Sequence, residues 1–225
     1  MSALLRGAID GLLGRTTVAA TTSAPKSLSM LDRQVLVLQH EILKRLGANA
    51  GDTDEVEHHQ KRIEVLQEGF TTEYHREFIA ISDELTPADG ALTMEILDMF
   101  FAIEAALDRL GDQALGELGE GAECTLRFRG FDHNDAHESR LAGLAEHLIK
   151  SGRWSRLAYH FDDEHEGGNS HMPVLPVYRR MLLGYQAVVV ERKAREGDGA
   201  FSTHLFDISD LQKILDAARR PGAAR

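Results

Sequence analysis

The sequence predicts a mainly α-helical protein, a multihelical bundle in two packed subdomains with at most one or two short extended segments. Three observations lead there. Apolar residues recur at the period of a helix with one buried face over most of the chain. Helix start and stop signals bracket several of those runs. Only around Thr125-Leu126-Arg127-Phe128-Arg129 does the pattern alternate residue by residue, as in a strand.

Residues 1–29 stand apart. Leu5, Ile9, Leu12 and Leu13 share one face of a short amphipathic helix. The stretch from Thr16 to Ser29 is rich in Thr, Ser and Ala and cannot bury enough apolar area to offset its ordering entropy. The expectation is an unstructured leader over 1–29, followed by a helical domain over 30–220.

The first helix starts at Ser29, whose hydroxyl suits an N-cap. Leu31, Val35, Leu38, Ile42 and Leu46 mark its apolar face, and Gly47 is its expected end. A second helix follows Thr53, with Asp54 and Glu55 where the helix dipole favours acids. Val56, Ile63 and Leu66 face inward, and Gly69 stops it. From Phe70 to Ser82 the positions of Tyr74, Phe78 and Ile81 fit a helix better than a strand. Thr86-Pro87-Ala88-Asp89 is a start signal: a hydroxyl cap, a proline in the first turn and an acid after it. Leu92, Ile96, Met99, Phe100, Ile103, Leu107 and Leu110 then form one buried stripe, closed by Gly111. The glycine-rich, acidic stretch 112–124 reads as a linker between an N-terminal half, 30–111, and a C-terminal half, 125–220.

Beyond the short extended segment, Leu141, Leu144, Leu148 and Ile149 carry a helix from about Asn134 to Ser151. A shorter one spans Arg153 to His160, and Asp162 to Met172 is a polar loop. Pro173 and Pro176 open the next helix, through Tyr178, Met181, Leu182, Tyr185 and Val189. Glu196 to Gly199 is a turn. Ser209-Asp210-Leu211-Gln212 reads as a capping box for the last helix, which Pro221 ends.

Composition narrows the function classes. A net charge of −11 repels phosphate backbones, and no Lys/Arg run supplies a basic patch, so nucleic acid is not an expected partner. Arg127-Phe128-Arg129 and Arg153-Trp154-Ser155-Arg156 place aromatics among arginines, but each is short. The single cysteine, Cys124, excludes an intrachain disulfide and a multi-cysteine zinc site. No apolar run is long enough to span a bilayer, and charges interrupt the N-terminal leucines, so a cytoplasmic location is expected.

Histidine is the one residue type in excess, at 11 copies, and invites a metal reading. His133 and His137 share a helical face beside Asp132, Asp135 and Glu138. His160, Asp162, Asp163, His165, Glu166 and His171 form a second cluster. Neither has the spacing of a zinc-protease helix, and the loop starting at Asp162 reaches Pro173 where calcium needs a bidentate Glu. Gly116, Gly119 and Gly121 alternate with acids, which disfavours a phosphate cradle. No nucleophile elbow is present. No metal, cofactor or catalytic residue is therefore assigned.

Several segments together resemble the YfbU family. They are Phe128-Arg129-Gly130-Phe131-Asp132 with Asn134 and Glu138, Asn169-Ser170-His171-x-Pro173, and Tyr178-Arg179-Arg180-Met181-Leu182. Ile96-Leu97-Asp98-Met99 and Leu66-x-x-Gly69-Phe70 precede them in the same order. The resemblance runs from about Ser29 to Ala218; the leader and Glu191 to Thr203 lie outside it, and His133, His137 and His165 are not part of its pattern. It implies a multihelical bacterial protein that self-associates, and it implies no known reaction.

The leading expectation is a cytoplasmic, homo-oligomeric helical module that binds protein. The rival is a small-ligand binder or enzyme with a polar pocket between segments 128–138 and 169–182. The candidate pocket or interface residues are Phe131, Asp132, Asn134 and Glu138, then Trp154, then Asn169, Ser170 and His171, then Tyr178, Arg179 and Arg180. A structural account competes with both: Gly130 permits a tight bend, Asp132 or Asn134 caps a helix, and Arg179 or Arg180 pairs with Asp132 or Glu138.

Overall fold

A computed structural model describes residues 25–196 and 206–219. The leader over 1–24, the turn at 197–199 and Pro221 lie outside the described residues. Within them the chain is helical, and its one extended pairing is an isolated bridge between Phe131 and Asn169. The backbone gathers into two compact units, divided between Glu84 and Leu85. The sequence pattern put the division at 112–124, one long helix later. The stripe of that helix explains the difference, because it is buried within the core of the second unit.

The first unit is a hairpin of α1 (Met30–Ala50) and α2 (Thr53–Glu68), followed by a 3₁₀ helix over Thr71–Phe78. Ser29 and Asp32 form a reciprocal capping box at the start of α1. Gly47 does not end α1; it lies where α2 passes, and a Cβ there would meet that of Glu55 at 3.2 Å. Gly51, at φ 76°, makes the stop. Gly69 ends α2 as the pattern predicts.

The apolar face of α1 is not its buried face. Leu31, Val35, Leu38, Ile42 and Leu46 are all exposed, from 46% at Val35 to 72% at Leu31. The side nearer α2 carries buried Val37 with half-buried Leu36 and the polar Arg33, His40 and Lys44. The apolar core of this unit is small: Val37, Ile63, Leu66 and Tyr74.

A polar network supplements it. His40 Nε2 donates to Glu77 at 2.9 Å, and Arg62 Nε donates to the same carboxylate at 2.6 Å. His40 Nδ1 lies 2.9 Å from His59 Nδ1, and His59 Nε2 lies 3.1 Å from Glu55. One of the two facing nitrogens must donate and the other accept, so the rings cannot both carry two protons without breaking this bond. The network ties α1 to α2 and to the 3₁₀ helix.

The second unit is built around α3 (Pro87–Leu110). Thr86 caps it by accepting the Asp89 N–H at 3.1 Å. Ile96, Leu97, Met99, Phe100, Ile103 and Leu107 are buried on it. The stretch read as a linker is helical: α4 (Asp112–Leu118) and α5 (Ala122–Leu126) bury Ala114, Leu118, Ala122 and Leu126. Four apolar anchors hold it down, and its glycines make the turns between helices. Thr125 and Leu126 accordingly finish a helix, and extended backbone starts only at Arg127.

Next comes α6 (Ala136–Lys150), capped by Asp135, which accepts the N–H groups of His137 and Glu138. A 3₁₀ helix over Ser155–Phe161 follows, then a single turn at Asp163–His165. The unit ends with α7 (Leu175–Glu196) and α8 (Ile208–Ala218). The last capping box is Asp207 with Asp210, two residues before the expected start, and Ser209 lies inside the helix. Among the described residues no helix is long and apolar enough to cross a membrane.

The network of the first unit gives a pH dependence. Burial lowers the His59 pKa below its ordinary 6.5, with His40 acting in the same direction against Glu55. A depressed folded-state value means that the unfolded chain binds the proton more readily. The contribution of His59 is therefore complete above 6.5 and is lost as pH falls through the folded value. Urea midpoints followed by circular dichroism should fall between pH 7.5 and 5.5, and His59→Gln should flatten that fall. An equal fall in both proteins would show that His59 is not its source.

Candidate functional site

The segment Arg127 to Asp132 runs extended between α5 and α6 and meets the loop before α7. Phe131 N–H donates to the carbonyl of Gly168 at 3.0 Å, and Ser170 N–H donates to the carbonyl of Phe131 at 3.0 Å. Gly130 makes this approach feasible, because a Cβ there would stand 1.8 Å from the Gly168 oxygen at a φ of 72°. Tyr178, buried on α7, donates its hydroxyl to the Gly130 carbonyl and accepts the Arg129 N–H, each at 3.1 Å. Burial pushes its phenol well above the usual range.

Glu138 closes the junction. It is 3% exposed, and three buried backbone groups donate to its carboxylate: Asp132 N at 3.0 Å, Val174 N at 3.2 Å and Leu175 N at 2.9 Å. The last two sit at the start of α7, so the carboxylate serves as a remote N-cap for that helix. Asp132 accepts from the backbone and side chain of Asn134, and Asn169 accepts the N–H groups of His133 and His171. Ser170 donates to the Met172 carbonyl.

The expected polar pocket between 128–138 and 169–182 thus has its main groups engaged with one another and with backbone. Phe131, Asp132, Asn134, Glu138, Asn169, Ser170 and Tyr178 come together there. Trp154 stands elsewhere, donating to Asp98 at 2.7 Å under the Arg153 guanidinium. Arg180 turns to the carbonyls of Ala218 and Pro176 rather than to Asp132 or Glu138, and Arg179 is exposed.

The metal clusters also resolve. His137 bonds Asp89 at 2.9 Å, and His133 is exposed. Among the described residues, no group of three or more His, Cys, Asp or Glu stands where it could hold a metal ion.

A second buried carboxylate lies beside this junction. Glu104, 1% exposed on α3, accepts the Phe128 N–H at 3.1 Å, His160 Nε2 at 2.8 Å and the Tyr159 hydroxyl at 3.3 Å. Burial and Glu104 raise the Tyr159 pKa, against the opposing Arg127 guanidinium. Two clefts open here and share Arg127 and Tyr159. One, of about 510 Å³, holds Glu104, Asp108 and Arg156. The other, of about 370 Å³, holds Arg129, His160, His165, Asn169, Ser170 and His171. The backbone between them is strained: Trp154, Glu166 and His171 all have positive φ without being glycine. His171 and the Asn169-Ser170 pair therefore border an open cleft, but on the side facing Arg127, not Arg179.

Glu104, Tyr159 and Arg127 escaped the sequence reading as site residues. The signal was present for Glu104. It is an acid one turn from Phe100 on the buried stripe of the longest helix, where an ionised group requires partners.

Once these elements are in place, a comparison with known families carries weight. The model of the YfbU domain matches residues 26–217, most of the chain.

The junction yields a stability prediction. Glu138→Ala strands three buried N–H groups and should cost about 3 kcal/mol or more. Glu138→Gln, which fills the same space and keeps one of the two acceptor oxygens, should cost less. Urea unfolding reads both, and equal losses would deny the carboxylate its role.

Proposed function

Since the chain belongs to the YfbU family, we propose that it acts in the cytoplasm as a homo-oligomeric helical interaction module, paired with a second copy through α1. The observation that carries this reading is the exposed apolar face of α1. Leu31, Val35, Leu38, Ile42 and Leu46 are spaced by four, three, four and four residues. The first four fit a heptad with β-branched Val35 and Ile42 alternating with Leu31 and Leu38, the choice that favours two-stranded pairing. The exposed area of the five is roughly 500 Å², near the upper end of what a monomer leaves open. Gln34, Gln39, Arg45 and Asn49 are exposed along its borders. They widen the face toward the roughly 800 Å² that each partner of a standard interface contributes.

A second copy suits this face better than an unrelated partner. Heptad seams are self-complementary, and a two-fold axis places the same residues on both sides. The small apolar core of the first unit has a matching need, since covering this face would add buried area where the monomer has little.

Sedimentation equilibrium at micromolar concentration should give a dimer. Leu38→Lys with Ile42→Lys should give a monomer of unchanged helicity, because both side chains are exposed and contribute little to the fold. A monomeric wild type, or a double variant of unchanged mass, would refute pairing through α1. A monomeric wild type that captures a different protein through the same residues would replace the second copy with that partner.

A further inference from the structure

The cleft of about 370 Å³ is independent of self-association through α1 and has its own chemistry. It is lined by the buried His160, 6% exposed, whose Nε2 lies 2.8 Å from Glu104. A carboxylate only accepts, so this nitrogen carries the proton, and in the neutral ring Nδ1 keeps a lone pair. Glu104 in turn is fixed by the Phe128 N–H and the Tyr159 hydroxyl, so the ring is held in one tautomer and one orientation.

Two guanidinium groups stand on the same cleft. Arg127 makes a long contact to Glu123, at 3.4 Å, and lies beside the Tyr159 hydroxyl and the Glu104 carboxylate. Arg129 reaches the sulfur of Cys124 and pairs with no carboxylate among the described residues. The acids nearby are largely engaged: Asp162 holds His165 at 2.7 Å and Glu166 holds His171 at 2.8 Å, which leaves Glu164 at the rim. Two guanidinium groups on one cleft, one of them without a carboxylate partner among the described residues, suit an oxyanion. A fully deprotonated anion would meet the His160 lone pair unfavourably. One that retains an O–H would donate to it.

We propose that this cleft binds inorganic phosphate as the hydrogenphosphate ion, with Arg127 and Arg129 holding the oxyanion and His160 accepting the hydrogen bond of its O–H. Glu104 is a positioning residue that fixes the His160 tautomer.

The test uses inorganic phosphate and the full chain at pH 7.5 after EDTA treatment, with the histidine ring signals followed by NMR. The His160 signal should shift saturably with phosphate. Arg129→Ala, an exposed position whose loss leaves the fold intact, should weaken binding about tenfold, the size expected for a charge-assisted hydrogen bond. Arg127→Ala should weaken it similarly. Sulfate, which carries no proton at this pH, should bind several-fold more weakly than phosphate. No saturable shift, or wild-type affinity in both arginine variants, would overturn the site. So would a response to zinc ions without one to phosphate. Equal binding of sulfate would remove His160 from the recognition.

Discussion

The second unit depends on one carboxylate. Glu138 is buried without a cationic partner among the described residues and is held by backbone N–H groups from two places 36 and 37 residues further along and one six residues back. A buried anion is costly unless several donors reach it. Here those donors come from the Asp132 turn and the first turn of α7, so forming α7 and fixing the turn before α6 become the same event. The Phe131–Asn169 bridge, the Gly130 contact and the Tyr178 hydroxyl then follow at short range. Remove the carboxylate and the loop before α7 has no reason to adopt this path.

The first unit follows a different rule. Its core has four buried apolar residues, each contributing about 1.5–3 kcal/mol at most. The rest of its cohesion comes from His40, His59, Arg62 and Glu77. Burial works to raise the Glu77 carboxyl, yet the hydrogen bonds from His40 and Arg62 outweigh it and hold the pKa below its usual value. Those bonds are made side chain to side chain, so they are sensitive to protonation in a way that the backbone bonds to Glu138 are not. The apolar face of α1 lies on the other side of the same helix. Its coverage by a second copy would add to this unit what its own core lacks.

How much of this was legible in the sequence depends on the range of the interaction. Helix starts are local, and Ser29, Thr86 and the acids after Thr53 announce them correctly. Ends that depend on a neighbour were missed. Gly47 stays helical because α2 passes beside it. The cap of α8 is local, but an acid at Asp207 two residues earlier competes with Ser209 and takes the role. The stretch 112–124 looked like a linker because glycine and acid dominate its composition, whereas four spaced apolar residues decide its structure. The period of α1 was read correctly and its direction was not, since a period says that one face is apolar and not what covers it. The YfbU resemblance drew attention to Glu138, Asn169 and Tyr178, and these residues do meet. It said nothing of Glu104, whose partners lie 24 to 56 residues away.

Glu104 and Glu138 are chemically alike, and their differences separate scaffold from site. Each is a nearly inaccessible carboxylate with three donors. Every donor to Glu138 is a backbone N–H, a group with no further bond to offer, so its influence ends in the fold. Two of the three donors to Glu104 are the side chains of Tyr159 and His160, and each keeps a second polar function beyond the carboxylate. Those residues line open clefts, one of them together with Arg129, which has no carboxylate partner among the described residues. A buried acid that served packing alone would be satisfied more cheaply by backbone, as Glu138 is. Using two titratable side chains instead places a charge-supported tautomer on the wall of a cleft, and the strained backbone at Trp154, Glu166 and His171 accompanies that segment.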